Sequence, residues 1–209
     1  MTFPAKKHFR CEILSWNSVA RDAKKLSDLI KSSRYKPSIV IAIARGGLVP
    51  ARIVCDYLHI KDLTTIKAEH WGITATPDKK AVIKFPLCTD IKNKKVLLVD
   101  DTTDTGDTLR VSIEHLKSFN PEDLKTAVLI HKTTSDLIPD YYVKKIIKWR
   151  WITFPWHFWE DMVTFVEEVK AGGIHSEEDI CSELKRRYSI DLKISTVKEI
   201  LSDLDRRHL

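Results

Sequence analysis

Val96-Leu97-Leu98-Val99-Asp100-Asp101-Thr102-Thr103-Asp104-Thr105-Gly106-Asp107-Thr108 decides the fold. Its first four residues are all apolar, and a short apolar run that stops at turn residues reads as a strand buried on both faces. The strand delivers two adjacent carboxylates to its end. A Thr/Gly-rich turn follows, and a helix is expected to open near Thr108. Backbone N–H groups at a helix N-terminus, with threonine hydroxyls beside them, cradle a phosphate monoester. Neighbouring carboxylates can hold a sugar diol. The plain alternative is a strand, a turn and a capped helix. A cap uses one acidic group, whereas Asp100, Asp101 and Asp104 stand within five positions.

Outward from this stretch the chain alternates. Residues 38–44, Ser-Ile-Val-Ile-Ala-Ile-Ala, form a second buried strand, which Arg45-Gly46-Gly47 breaks before a helix to about Leu58. Residues 62–67 and 126–131 read as two more strands, and 16–33 as a helix with Val19, Ala23, Leu26 and Ile30 at helical spacing. The polar stretch from about His70 to Lys80, with Gly72, Pro77 and Asp78, reads as a mobile loop. Strands alternating with helices predict an α/β fold, a parallel sheet flanked by helices. Ligands bind beyond the carboxyl ends of such strands, where Arg45, Lys67, Asp100 and Lys132 all fall.

The pattern changes at Phe158. Phe158, Met162, Phe165, Val166 and Val169 mark a helix that Gly172-Gly173 ends. Ser176-Glu177-Glu178-Asp179 resembles a capping box and opens a second helix bearing Ile180, Leu184 and Tyr188. Ser195 can cap a third, with Val197, Ile200, Leu201 and Leu204 inward. The expected division is a catalytic-type domain at 1–156 and a three-helix bundle at 157–209.

Composition bounds the rest. Hydrophobic residues make up 43% and charged residues 31%, enough apolar mass for a full core in a soluble chain. No apolar run approaches the roughly 18–20 residues of a membrane span. The basic N-terminus has no apolar stretch after it, so no signal peptide is expected and the expected location is the cytoplasm. Cys11, Cys55, Cys88 and Cys181 make no C-x-x-C pair, which argues against a metal knuckle or a redox motif. The net charge of +6 suits nucleic acid or phosphorylated small molecules, but the basic residues are dispersed, so charge alone does not choose.

The 96–108 stretch resembles the phosphoribosyl pyrophosphate (PRPP) signature of the type I phosphoribosyltransferases. The resemblance implies that Asp100 and Asp101 bind the ribose hydroxyls, and that Asp104, Thr105, Gly106, Asp107 and Thr108 form the 5'-phosphate loop. Ile43-Ala44-Arg45-Gly46-Gly47-Leu48-Val49-Pro50 looks like the family's pyrophosphate loop, with Arg45 and Gly46 meeting the diphosphate. Lys67 and Lys84 are further pyrophosphate candidates, and residues 70–84 fall where the family has its catalytic lid. Each lysine taken alone reads as an ordinary solvated side chain. His131-Lys132, Pro139-Asp140-Tyr141-Tyr142 and Trp151-Ile152-Thr153-Phe154-Pro155-Trp156 resemble the base-binding region of the 6-oxopurine branch. By that likeness Lys132 donates to the purine O6, Trp151 stacks on the base, and Ile152 lines the same subsite. Core packing is the plain reading of Trp151.

What the resemblance implies is displacement at the anomeric carbon of PRPP, with Mg²⁺ bound through PRPP and Asp104 accepting the base proton. The expected partners are PRPP, a purine base, the nucleoside monophosphate and a second copy of the chain as a homodimer, with no nucleic acid and no membrane. Two features conflict over the base. Lys132 and Asp104 are marks of the 6-oxopurine lineage. The C-terminal bundle resembles crenarchaeal adenine enzymes, and His157-Phe158-Trp159 replaces the acidic residue that oxopurine relatives place after Pro-Trp. Adenine is the expected base, with hypoxanthine, guanine or xanthine as the alternative. A PRPP-sensing transcription regulator is the main alternative of another class, because 179–201 can be read as helix-turn-helix. The last helix, however, alternates acidic and basic residues and has few groups suited to reading bases. A pyrimidine-specific transferase is a weaker alternative.

Overall fold

The computed structural model describes residues 8–70 and 81–207. They divide into two compact units, one formed by Asn17–Trp149 and the other by the segment through Trp16 together with the chain from Arg150 onward.

The first unit is the expected α/β layer. Its strands are β2 (Ile39–Ala44), β3 (Leu63–His70), β4 (Ala81–Phe85), β5 (Lys95–Thr103), β6 (Asp123–Lys132) and β7 (Tyr141–Ile146), in the order β4-β3-β2-β5-β6-β7. Every pairing is parallel except β3 with β4. The helices are α1 (Trp16–Ser32, whose first residue belongs to the other unit), α2 (Leu48–Leu58) and α3 (Asp107–Lys117). Alternation along β2 explains its uninterrupted apolar run. Ile39, Ile41 and Ile43 join Val96, Leu98, Leu109 and Leu116 in one core cluster. Val40 and Ala42 point to the opposite face and are equally buried.

The second unit contains β1 (Cys11–Ile13) paired in parallel with β8 (Trp151–Thr153), and the helices α4 (Phe158–Ala171), α5 (Glu177–Tyr188) and α6 (Ile194–Arg207). The Ser176 hydroxyl accepts from the Asp179 N–H, as the capping pattern predicts. Val197, Ile200 and Leu204 are buried as expected, while α6 begins one residue before Ser195. The three helices pack on one another, with the Phe165 and Tyr188 rings stacked at 4.6 Å.

Three expectations need correction. The boundary expected at 156/157 falls instead at 149/150, and the second unit also takes the N-terminal segment. The reason is packing: Phe9 lies 4.9 Å from the Tyr188 ring, and Trp151 and Thr153 both donate to Asp161 on α4. Part of the loop expected at 70–84 is strand, since 81–85 form β4; the rest, 71–80, lies outside the described residues. Four strands were not expected at all. β1 and β8 are three residues each, too short for periodicity to register. β7 carries Lys144 and Lys145 on a sheet edge, where charge is ordinary. β4 is also an edge strand, and its pairing shifts register beside Lys67. Among the described residues no helix is long and apolar enough to cross a membrane.

Candidate active site

The carboxyl ends of β2, β5 and β6 carry Arg45, Gly46, Asp100, Asp101, Asp104 and Lys132 of the groups that the sequence singled out. β5 runs on through Asp100 and Asp101 to Thr103. Asp101 is buried, and its backbone N–H donates to the Asp100 carboxylate at 2.9 Å. Burial pushes the Asp100 carboxyl well above the ordinary carboxylate range, and the Asp101 charge beside it pushes the same way. Gly46, after β2, meets Asp101: a Cβ there would lie at or within 3.0 Å of the Asp101 Cγ and both its carboxylate oxygens. The absence of a side chain is what lets the turn approach the carboxylate. Arg45 is exposed at the start of this turn.

The loop from Asp104 to Thr108 opens α3 as expected. Gly106 is the N-cap residue, in the left-handed region at φ 90°, where an added Cβ would lie 2.5 Å from the Ser135 hydroxyl oxygen. Thr105 Oγ1 donates to the Asp107 carboxylate at 2.7 Å, and the Asp107 N–H faces Thr105 Oγ1 at 3.4 Å. The amides of Asp107 and Thr108 belong to the first turn of α3, where intrahelical acceptors are lacking. The turn therefore presents donors and hydroxyls of the kind a phosphate monoester takes.

Asp104 is the hub. Lys132, the last residue of β6, donates to its Oδ2 at 2.6 Å, and the Lys132 side chain is only 4% exposed. Thr134 Oγ1 donates to the Asp104 backbone carbonyl at 2.7 Å and to Oδ1 at 3.1 Å. Trp149 Nε1 donates to Oδ1 at 3.1 Å, and the Lys132 ammonium lies 5.0 Å from the Trp149 ring centroid. Thr134 and Trp149 escaped the sequence reading. No motif marks either one, and only the return of the 133–149 segment to the end of β6 brings them to Asp104.

The two lysines expected at a pyrophosphate, Lys67 and Lys84, are committed to another partner. Lys84 and Lys67 both pair with Glu69, at 2.7 and 3.3 Å, and Lys84 then Lys67 hold its carboxyl below the usual range. Glu69 also went unread. Lys67 lies within β3, opposite Ala44 where the β2 pairing ends.

Trp151 and Ile152 are each 5% exposed in β8. The Trp151 indole donates to Asp161 at 2.9 Å and lies 6.3 Å, edge-on, from the Phe165 ring. Burial raises the Asp161 carboxyl above its ordinary value, opposed by the hydrogen bonds from Thr153 and Trp151. Trp151 is thus an anchored core residue of the second unit, in place of the open π face that the sequence suggested.

A family model described as "Phosphoribosyl transferase domain" matches residues 11–161. The chain belongs to this family of phosphoribosyl transferase domains. It is 33% identical over 146 residues to a xanthine-guanine phosphoribosyltransferase of Nitratidesulfovibrio vulgaris, covering 68% of this chain and 82% of that one. A xanthine-guanine phosphoribosyltransferase of Idiomarina loihiensis is 30% identical over 144 residues, 68% of this chain and 84% of the relative. Among solved structures, a purine phosphoribosyltransferase of Pyrococcus horikoshii is 37% identical, with a TM-score of 0.62 over 70% of this chain and 93% of that one. A Helicobacter pylori xanthine-guanine-hypoxanthine phosphoribosyltransferase, at 20% identity and a TM-score of 0.63, shares the fold, with 74% of this chain and 99% of that one covered.

Proposed function

We propose that the protein transfers the 5-phosphoribosyl group of PRPP to a purine base, giving a nucleoside monophosphate and pyrophosphate, and that adenine is the preferred base. The observation that carries the purine reading is the Lys132–Asp104 pair at 2.6 Å, placed where the 5'-phosphate loop begins. Asp104 can accept the imidazole proton of a purine, and Lys132 holds that carboxylate in place. In this reading Asp100 and Asp101 hold the ribose diol. Thr105 to Thr108 hold the 5'-phosphate, and Arg45, Gly46, Lys67 and Lys84 serve the pyrophosphate once the lysines leave Glu69. Mg²⁺ would come bound through PRPP, whose oxygens are the ligands this hard ion takes. When bound, the ion neutralises charge on the leaving pyrophosphate.

Two features favour adenine. The Lys132 charge is already answered by Asp104 and the Trp149 ring, so it needs no keto oxygen. The helices α5 and α6 lie beyond the matched family region, and a bundle of this kind resembles the crenarchaeal adenine enzymes. The second reading, a 6-oxopurine base, is favoured by the names of the curated relatives. Incubation with PRPP, Mg²⁺ and adenine, hypoxanthine, guanine, xanthine or uracil decides between them. Adenine turnover supports the proposal, turnover of the oxopurines alone replaces it with the second reading, and no turnover of any base defeats both.

A further inference from the structure

Asp104 holds more donors at rest than a proton acceptor needs. Thr134 is fixed to it at both backbone and side chain, and Lys132 is fixed by the end of β6. Trp149 is of another kind: half-buried, it belongs to the segment between β7 and β8, outside any strand or helix. It presents a fused five- and six-membered ring whose five-membered part directs an in-plane N–H at the Asp104 carboxylate, 3.1 Å from Oδ1 and 3.4 Å from Oδ2. The Lys132 ammonium stands 5.0 Å from the same ring system. A purine is also a fused five- and six-membered ring with an N–H on the smaller ring.

We propose that Trp149 is a specificity-determining place-holder of the base subsite. Its indole makes to Asp104 the hydrogen bond that the imidazole N–H of the incoming purine makes, and base binding displaces it. The inference rests on Asp104 being the proton acceptor of the reaction proposed above. Both rings cannot hold the same carboxylate edge at once. Entry of a base therefore breaks the indole bond, and only a ligand that supplies an equivalent planar N–H restores it. A single-ring base cannot fill the outline that the indole vacates, so the exchange selects for purines. Losing a hydrogen bond to a carboxylate subtracts from the affinity of every base admitted.

Trp149→Phe keeps an aromatic ring and removes the N–H. The KM for the base is expected to fall by about threefold to tenfold, while the KM for PRPP stays put. In ¹⁵N-indole spectra of the wild type, the Trp149 Nε1 signal, assigned by its loss in Trp149→Phe, moves when free adenine or hypoxanthine, each carrying the imidazole N–H, saturates the site and stays when PRPP alone is added. A rise in base KM, or an indole signal unmoved by both bases, overturns the place-holder while leaving transferase activity intact. Absence of turnover with every base defeats the proposed function instead, and the adenine and hypoxanthine titrations still decide the displacement. Should Trp149→Phe fail to fold, a crystal structure of the wild type with free adenine or hypoxanthine gives the answer: Trp149 Nε1 out of hydrogen-bond reach of Asp104 supports the proposal, and the contact retained beside a bound base overturns it.

Discussion

Gly46 and Asp101 touch with no room for a side chain between them: a Cβ on Gly46 would come at or within 3.0 Å of three carboxylate atoms of Asp101. Two segments 55 residues apart in sequence thereby form one surface, the turn after β2 and the end of β5. Gly46→Ala must push the carboxylate aside or shift the turn. We expect PRPP affinity to drop at least about tenfold, read by calorimetric titration. Wild-type affinity in the variant would separate the two segments functionally.

Asp100→Asn should trade binding for stability, with a defined pH dependence. The folded-state pKa of Asp100 is raised by burial and by Asp101, so its ionised form destabilises the fold. The wild type therefore loses stability as pH rises from the unfolded value of about 4 toward the folded one. The Asn variant escapes this loss. Its Tm advantage should be absent below about pH 4 and grow as pH rises, while PRPP binding is lost. Thermal scans across pH check the first part and titration checks the second. A variant less stable than wild type at neutral pH contradicts the assignment.

Asp104→Asn should act on turnover more than on PRPP affinity, because its proposed task is the base proton. A loss of about 10²- to 10⁴-fold in kcat is expected. Single-turnover kinetics with saturating PRPP measures it, and a kcat within a few-fold of wild type would remove Asp104 from the proton path.

Trp151→Phe should report on folding. Its indole N–H is one of two side-chain donors to Asp161, which is 3% exposed. Removing it leaves a buried carboxyl short of a partner and is expected to cost about 1–3 kcal/mol. Urea denaturation measures this. A variant of full stability with base KM raised about tenfold or more would instead restore Trp151 to the base subsite.

Truncation after Trp156 should abolish a soluble folded product. It removes Phe165 and Tyr188, against which Phe9 packs at 5.8 and 4.9 Å, and Asp161, which receives the bonds from Trp151 and Thr153. Soluble yield and circular dichroism check this. A cooperative transition in the truncated chain would mean that β1 and β8 do not depend on the helices.

The sequence by itself determined the parallel α/β layer, because a strand buried on both faces must be apolar throughout, and 39–44 and 96–99 are. It determined the Asp104–Thr108 turn as well, since such a turn is local: glycine conformation, hydroxyls and helix start all lie within a few residues. It also placed the three C-terminal helices through their period and the Ser176 cap. Only the tertiary structure decided what converges on Asp104. Thr134 and Trp149 are 30 and 45 residues away, and no short-range pattern encodes a contact made by a returning chain. The same holds for Glu69, which draws Lys67 and Lys84 together across an antiparallel edge pair. The sequence left Trp151 between stacking on a base and core packing, because burial belongs to Asp161, Phe165 and Phe9, contributed by other elements. Periodicity records which side of its own element a residue occupies, whereas packing between elements decides what that side meets.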